Sequence, residues 1–221
     1  MDLKTDWILT PYRALVHRPT ATAIIADLHL GYAAARRHSG EVVPEIGEDV
    51  LLQRVSRLVE AYHLERLVIA GDMVEQGYSG SLAAARFVIS VRKFGASVIL
   101  VPGNHDLDLG SVPGLEKVES ALFIGDWRVV HQAEPTDKRP CIMGHWHPVV
   151  RSTYFQGQVP CYLSTPARFL LPAQSEDAAG DNILNWRDCL AAECHVIVKD
   201  QVLAMGTLAN LQRRFQKKTR A

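Results

Sequence analysis

The first half of the chain alternates short apolar runs with longer segments in which apolar residues recur every three or four positions. The short runs cover residues 23–26, 67–70 and 96–101 and have the length and composition of buried strands. The longer segments, 48–64 and 81–94, have the spacing of amphipathic helices. Strands separated by helices are typical of βαβ units, so the pattern predicts an α/β fold with a parallel sheet covered on its faces.

The second half of the chain consists of short strand-like pieces separated by turn residues. The pairs at 125–126 and 156–157 have the composition of hairpin connections, and residues 195–205 predict a late hairpin. We therefore expect a second, largely antiparallel sheet packed on the first. No linker rich in Pro, Gly or Ser separates the halves, so the sequence predicts a single domain over residues 1–206 and a basic C-terminal tail over 207–221.

Composition and charge limit the expected ligands and cellular location of the protein. Lys plus Arg and Asp plus Glu each number 24 among the 221 residues, so no net field attracts a polyanion. The start of the chain lacks the features of a signal peptide, and no apolar run reaches the ~20 residues of a membrane span. The four cysteines form no CxxC pair, which favours reduced thiols. We expect a cytoplasmic protein without membrane contact.

Polar side chains follow the predicted strands, at the point where each strand ends. Asp27, Asp72 and Asn104 each come within a residue or two of a strand's carboxyl end. Because the carboxyl ends of parallel strands meet at one edge of a sheet, these side chains should converge there. The five polar segments are Asp27-Leu28-His29, Gly71-Asp72, Gly103-Asn104-His105-Asp106, His131 and Gly144-His145-Trp146-His147.

The chemistry of these side chains indicates a metal centre. Carboxylate, imidazole and carboxamide together suit Mn²⁺, Fe or Zn²⁺ better than Ca²⁺ or Mg²⁺. The candidate ligands are too many for one ion and suit two ions that share a carboxylate. Such a pair, roughly 3.5–4 Å apart, supports in-line displacement at phosphorus. The candidate ligands are Asp27, His29, Asp72, Asn104, His131, His145 and His147.

The order of the motifs DxH, GD, GNHD, H and GHxH resembles the calcineurin-like metallophosphoesterases. A small prokaryotic subgroup, which includes the phosphoesterases associated with bacterial DNA ligase and helicase genes, is more similar still. The matching positions are 26–31 (ADLHLG), Pro44, 144–148 (GHWHP), 160–161 (PC) and 171–173 (LPA). The resemblance implies a four-layer α/β/β/α sandwich of two mixed sheets and a manganese-dependent hydrolase of phosphodiesters.

The resemblance also implies a role for each polar residue. His105 would stabilise the transition state or protonate the leaving oxygen, and Asp106 would orient its neighbours. The substrate would be single-stranded or damaged DNA, and the partners would be DNA-ligase and helicase repair proteins. The ligands of one metal would be Asp27, His29, Asp72 and His147, and those of the other would be Asp72, Asn104, His131 and His145, with Asp72 bridging.

The chain departs from the family pattern in two places. The subgroup continues from LPA with an aromatic residue and a glycine-rich turn, whereas residues 174–177 here are QSED. Relatives that read GDxxD carry an activating Asp where this chain has Glu75. Two other functions stay open: a phosphomonoesterase acting on a nucleotide or small metabolite, and a non-catalytic scaffold that binds protein at its metal edge. Retention of His105 argues against the scaffold.

Other polar and aromatic residues have simpler interpretations. His17, His38, His63 and His195 fit structural or solvated positions. Trp146 could line the site and stack on a base or sugar, or simply pack. The basic trio at 36–38 and the basic tail could contact phosphates, although we expect the trio to be solvated surface and the tail to be disordered.

Overall fold

The computed structural model describes residues 2–3, 6–43, 47–75, 80–134, 136–152, 155 and 157–218. Pro44 of the predicted motif and Gln156 of the predicted turn lie outside these residues. Within the described ranges, no helix combines the length and the apolar character needed to cross a bilayer. None of the four cysteines forms a disulfide, and three of them are buried.

Among the described residues, the first sheet has seven strands, and they lie in space in the same order as in the chain. Its first pairings are antiparallel, whereas the last four strands run parallel. This confirms the predicted parallel strands and helices. The strands are β1 (Asp2–Leu3), β2 (Trp7–Leu9), β3 (Leu15–His17), β4 (Thr22–Ile25), β5 (Arg66–Ala70), β6 (Ser97–Val101) and β7 (Leu115–Lys117), and the helices along this part of the chain are α1 (Tyr32–His38), α2 (Gly47–Tyr62) and α3 (Ser81–Lys93).

In the part of the chain that the structure describes, the second sheet has nine strands and is mixed rather than largely antiparallel. Its strands are β8 (Leu122–Ile124), β9 (Trp127–Val129), β10 (Cys141–Met143), β11 (Pro148–Arg151), β12 (Gln158–Thr165), β13 (Arg168–Leu170), β14 (Asp181–Asn182), β15 (Glu193–Val198) and β16 (Gln201–Thr207). Strand β10 runs parallel to both β9 and β13, and β14 runs parallel to β11. The predicted hairpins β8–β9 and β15–β16 are antiparallel and are confirmed.

Successive side chains of the central strands alternate between the two faces of the first sheet, and this divides the apolar core into layers. In β5, Leu67 and Ile69 belong to the apolar cluster that includes residues of α2 and α3, while Val68 and Ala70 belong to the cluster between the two sheets. This is expected because successive side chains of a strand point to opposite faces of the sheet. Tyr162 of β12 is fully buried between the sheets, and its hydroxyl donates to the Thr10 carbonyl at 2.7 Å.

The outer face of the second sheet is covered by a fourth helix, α4 (Leu208–Lys218). Leu208 and Leu211 are fully buried in an apolar cluster with Cys161 and Val196. The layers therefore follow one another as helices, sheet, sheet and helix, which confirms the four-layer α/β/β/α architecture. The expected disorder of the basic tail is wrong for residues 208–218, because their apolar positions pack on the sheet.

Candidate metal centre

All five polar segments begin where a strand ends, and they meet at one edge of the two sheets. Strands β4, β5 and β6 run parallel, so the segments after them lie side by side. His131 follows β9, and the segment 144–147 joins β10 to β11 in the second sheet. Both sheets therefore contribute candidate ligands to the same cluster, as the sequence pattern predicted for the first sheet.

Asp27, His29 and His147 form one group of potential metal-binding side chains. One nitrogen or oxygen atom from each lies within 4.8 Å of the others. Nε2 of His147 is 3.4 Å from Oδ1 of Asp27, and the rings of His29 and His147 are 5.2 Å apart between centroids. Asp27 is fully buried and His29 is nearly so, which keeps these donor atoms out of bulk water.

Asp72, His131 and His145 form a second group, and Asn104 joins it. Nε2 of His131 lies 3.3 Å from Oδ2 of Asp72, 3.1 Å from Oδ1 of Asn104 and 3.0 Å from Nδ1 of His145. Asp72 also forms a third such group with His29 and His105, so this carboxylate stands between the first two groups.

The backbone at these side chains adopts a rarely populated conformation. The φ angles of Asp27, His29, Asp72, His145 and His147 are 56°, 47°, 50°, 71° and 44°, all in the left-handed region. Such residues cost on the order of 1–3 kcal/mol each and persist where the surrounding structure holds them. The first two loops hold each other, because the N–H groups of residues 28 and 29 both donate to the Asp72 carbonyl at 2.9 and 3.0 Å.

Glycine is required where the ligand loops approach most closely. A Cβ atom on Gly144 would lie 2.5 Å from Cβ of Ala26 and 2.6 Å from Oδ2 of Asp27. A Cβ atom on Gly103 would lie 2.2 Å from Oδ1 of Asp72. The glycines of the GNHD and GHxH motifs therefore leave the space that the two carboxylates occupy.

Hydrogen bonds on the far side of two histidines orient their rings toward the cluster. Nδ1 of His29 lies 2.9 Å from Oε2 of Glu75, and Nδ1 of His131 lies 3.1 Å from the Ala70 carbonyl. Because these oxygens accept, each Nδ1 carries a proton, and in the neutral ring the lone pair is then on Nε2. Nε2 of His29 is buried without a hydrogen-bond partner. This arrangement, in which a carboxylate or carbonyl holds the outer nitrogen, is the one that metal-binding histidines use.

The electrostatics of the cluster also suit a cation. Burial alone would raise the pKa of Asp72, but the hydrogen bond and charge of His131 and the N–H group of His105 outweigh burial and lower this pKa to about 2. Burial alone would lower the pKa of His131, yet its contacts with Asp72 and Asp27 raise it. The Asp72 carboxylate is therefore ionised, and it favours positive charge beside it.

Two acidic residues around the cluster have different surroundings. Both oxygens of the fully buried Asp106 accept backbone N–H groups, from Gly103 at 2.8 Å and Val74 at 3.1 Å, so Asp106 fixes the loops after β5 and β6. Glu75 reaches two histidines: its Oε2 binds His29, and its Oε1 lies 3.7 Å from Nδ1 of His105. Glu75 stands out in the sequence as a departure from GDxxD, but its contact with His29 is visible only in the structure.

Two arginines, which the sequence did not single out, form a clamp that supports the loop after β4. Arg13 and Arg54 donate to backbone carbonyls of the segment 173–175, and both contact the Glu176 carboxylate. The N–H group of residue 175 in turn donates to the Asp27 carbonyl at 3.0 Å. Nothing in the sequence indicated this clamp, because its parts are scattered and belong to no common motif.

The other polar residues considered from the sequence lie outside the cluster. His17 and His195 are buried within β3 and β15, as structural histidines are. Arg36 is exposed and pairs with Glu41 at 3.1 Å. A cavity of about 430 Å³ lies beside His29 and is lined by residues of α1, α2 and α3, including Arg37.

Comparisons with known proteins were made by sequence and by structure. A search by sequence among curated proteins found no significant match. The nuclease MPE of Pseudomonas putida has the same fold, with a TM-score of 0.72 and 22% identity over 93% of this chain and 98% of that one. AQ665 of Aquifex aeolicus, a protein of unknown function, is 20% identical over 57% of this chain and 78% of that one, with a TM-score of 0.40.

The family model for calcineurin-like phosphoesterases matches residues 21–155. This stretch is more than half of the chain and contains every candidate ligand, His105 and Glu75. The chain therefore belongs to the calcineurin-like phosphoesterase family and is a metal-dependent phosphoester hydrolase.

Proposed function

We propose that this enzyme hydrolyses phosphodiesters with two divalent metal ions and that nucleic acid is its substrate. The observation that carries the proposal is the pair of donor groups joined by the Asp72 carboxylate. Nε2 of His29 supports the proposal separately. This buried nitrogen has no hydrogen-bond partner, and a bound cation would be its missing partner.

In this proposal each ion has four protein ligands. When bound, the two ions supply the Lewis acidity that polarises phosphoryl oxygens and makes hydroxide available at neutral pH. The protein's own contribution is to hold the donor atoms at fixed positions and to keep their outer hydrogen bonds satisfied. The proposed ligands are Asp27, His29, Asp72 and His147 for one ion and Asp72, Asn104, His131 and His145 for the other.

Manganese is the metal that we propose, with iron and zinc as the alternatives to test. The donor set mixes imidazole nitrogen with carboxylate and amide oxygen, and this mixture suits such ions better than the all-oxygen shells of Ca²⁺ or Mg²⁺. Removing metal with EDTA and adding back each ion in turn identifies which one restores turnover, and elemental analysis of the purified enzyme identifies the resident metal.

We propose His105 as the residue that donates a proton to the leaving oxygen. Its ring lies 4.9 Å from the His29 ring between centroids, and its Nε2 is 4.0 Å from Oδ2 of Asp72. The side chain is 22% exposed, so substrate can reach it from solvent. Oε1 of Glu75 lies 3.7 Å from the other ring nitrogen, Nδ1.

The surroundings of two arginines support a diester rather than a monoester. Arg36 is paired with Glu41, and Arg151 donates to Gln158 and to the Gly180 carbonyl. Monoester dianions are usually bound by clustered guanidinium groups, and these two are engaged elsewhere. The Pseudomonas putida protein that shares this fold is a nuclease, which supports nucleic acid as the substrate class.

A narrower part of the proposal rests on the sequence resemblance alone. The subgroup with the ADLHLG and GHxHP motifs includes phosphoesterases associated with DNA ligase and helicase genes. We therefore propose a cytoplasmic DNA endonuclease or phosphodiesterase that acts in repair on single-stranded or damaged DNA, alongside ligase and helicase proteins.

A panel of substrates in the presence of manganese tests the reaction class. We expect turnover of bis-p-nitrophenyl phosphate to exceed that of p-nitrophenyl phosphate, and single-stranded oligonucleotides to be cut. Faster turnover of the monoester would refute the proposal and identify the enzyme as a phosphomonoesterase. An enzyme that retains its metals but turns over none of these substrates would instead be a binding scaffold.

A further inference from the structure

Trp146 is an exposed aromatic residue placed directly between two candidate ligands, His145 and His147. The residue is 42% exposed, although tryptophan is normally among the more buried residues. Its ring lies 5.5 Å from the His145 ring between centroids, at an interplanar angle of 88°. The indole therefore stands at the margin of the metal centre, with much of its surface open to solvent.

A second tryptophan supports the first. The rings of Trp146 and Trp186 are 6.1 Å apart between centroids and meet at 72°, an edge-to-face arrangement. Nε1 of Trp186 donates to Oδ2 of Asp181 at 2.7 Å, and its backbone carbonyl accepts from Gln212 at 2.7 Å. The N–H group of Asp181 donates to the His147 carbonyl at 3.0 Å. The aromatic pair is thus tied to the ligand segment and to α4.

The helix that supports Trp186 is strongly basic. Residues 208–218 contain two arginines and two lysines and no acidic residue, although the chain as a whole has no net charge. Arg213 and Arg214 follow Gln212, which contacts Trp186, and both are exposed. Positive charge is therefore concentrated on the element that supports the aromatic pair, which suits a polyanion lying across it.

We propose that Trp146, supported by Trp186, is a stacking platform for an unpaired nucleobase next to the scissile phosphate. This inference rests on the proposed phosphodiesterase function and names the residue that would select the single-stranded form of its substrate. Every base has an aromatic face, so stacking recognises a nucleotide without reading its sequence. A base inside a duplex is already stacked on its neighbours and does not offer that face. The platform therefore selects unpaired segments.

The test pairs a change in the protein with a change in the substrate. The variants are Trp146→Leu, which keeps an apolar side chain without a ring, and Trp146→Phe, which keeps a ring. The substrates are a single-stranded oligonucleotide and versions with one abasic site on either side of the cleaved bond. Stacking on an aromatic side chain should raise kcat/KM by about 5- to 150-fold per base.

Wild-type enzyme and Trp146→Phe should prefer the complete oligonucleotide over the version that lacks the base next to the cut. Trp146→Leu should lose this preference and treat both alike. The platform would be overturned if all three proteins showed the same preference for the complete oligonucleotide. This includes the case in which kcat/KM of Trp146→Leu falls by the same factor on both substrates. A wild-type enzyme that cuts duplex as fast as single strand would also overturn it.

Two controls separate this inference from the function on which it rests. Phe123→Ala removes an aromatic side chain that is 65% exposed in β8 and should leave every ratio unchanged. Hydrolysis of bis-p-nitrophenyl phosphate by the wild-type enzyme tests the phosphodiesterase function alone. Hydrolysis of that ester without any base preference overturns the platform only, whereas no hydrolysis rejects the proposed function. Quenching of tryptophan fluorescence by oligothymidylate, reduced in Trp146→Phe, reports the contact independently of turnover.

Discussion

Replacing Glu75 tests how much of the metal affinity depends on a residue that we do not propose as a ligand. Oε2 of Glu75 lies 2.9 Å from Nδ1 of His29, and the two side chains are only 17% and 8% exposed, so water screens the contact weakly. Hydrogen bonds to charged groups contribute about 1.5–3 kcal/mol, which corresponds to roughly 10- to 150-fold in an equilibrium constant. Residues that orient metal ligands typically contribute 10- to 100-fold in affinity.

We therefore expect Glu75→Ala to weaken manganese binding about 10- to 100-fold. Glu75→Gln should lose less, because its amide oxygen can still accept from His29. Calorimetric titration of the metal-free protein with manganese measures both effects, and Glu119→Gln, an exposed glutamate in the loop before β8, is the matched control. Wild-type affinity in Glu75→Ala would refute the reasoning, because His29 would then be oriented by other contacts.

Three further substitutions separate metal binding, chemistry and packing. Asp72→Asn should deplete both ions, and elemental analysis that finds full occupancy would exclude a shared ligand. His105→Ala should retain both ions and lose about 10²- to 10⁴-fold in kcat, whereas unchanged turnover of bis-p-nitrophenyl phosphate would remove His105 from the mechanism. Gly144→Ala forces a methyl group against Asp27 and should lower the free energy of unfolding by about 1–3 kcal/mol in urea denaturation. Gly110→Ala, which meets nothing within 4 Å, should not lower it, and equal effects at the two glycines would contradict the steric argument.

Much of the first sheet and the composition of the cluster could be predicted from the sequence. The strands β4, β5 and β6 are buried on both faces, so each is a continuous apolar run that stands out from its surroundings. Parallel pairing then places their carboxyl ends together, which is why residues far apart in the chain were expected to meet. The motifs GNHD at 103–106 and GHxH at 144–147 indicated two further ligand loops.

Other parts of the structure could not be predicted in the same way. Strands β1, β2 and β3 are only two or three residues long and too short to show a period. Helix α4 did carry a signal, because Leu208, Leu211 and Phe215 recur at helical spacing, but the surrounding basic residues favoured disorder. The Trp146–Trp186 contact joins two loops that share no motif, so only the tertiary structure shows it.

The left-handed backbone at five of the proposed ligands should make metal binding sensitive to substitutions in the apolar core beneath the loops. Such turns persist only while the packed layers beneath them resist relaxation. A substitution that slightly loosens the apolar contacts between the sheets should therefore release these loops well before the molecule as a whole melts. Its earliest sign would be an increased demand for manganese in the assay, at temperatures where circular dichroism still reports an intact fold.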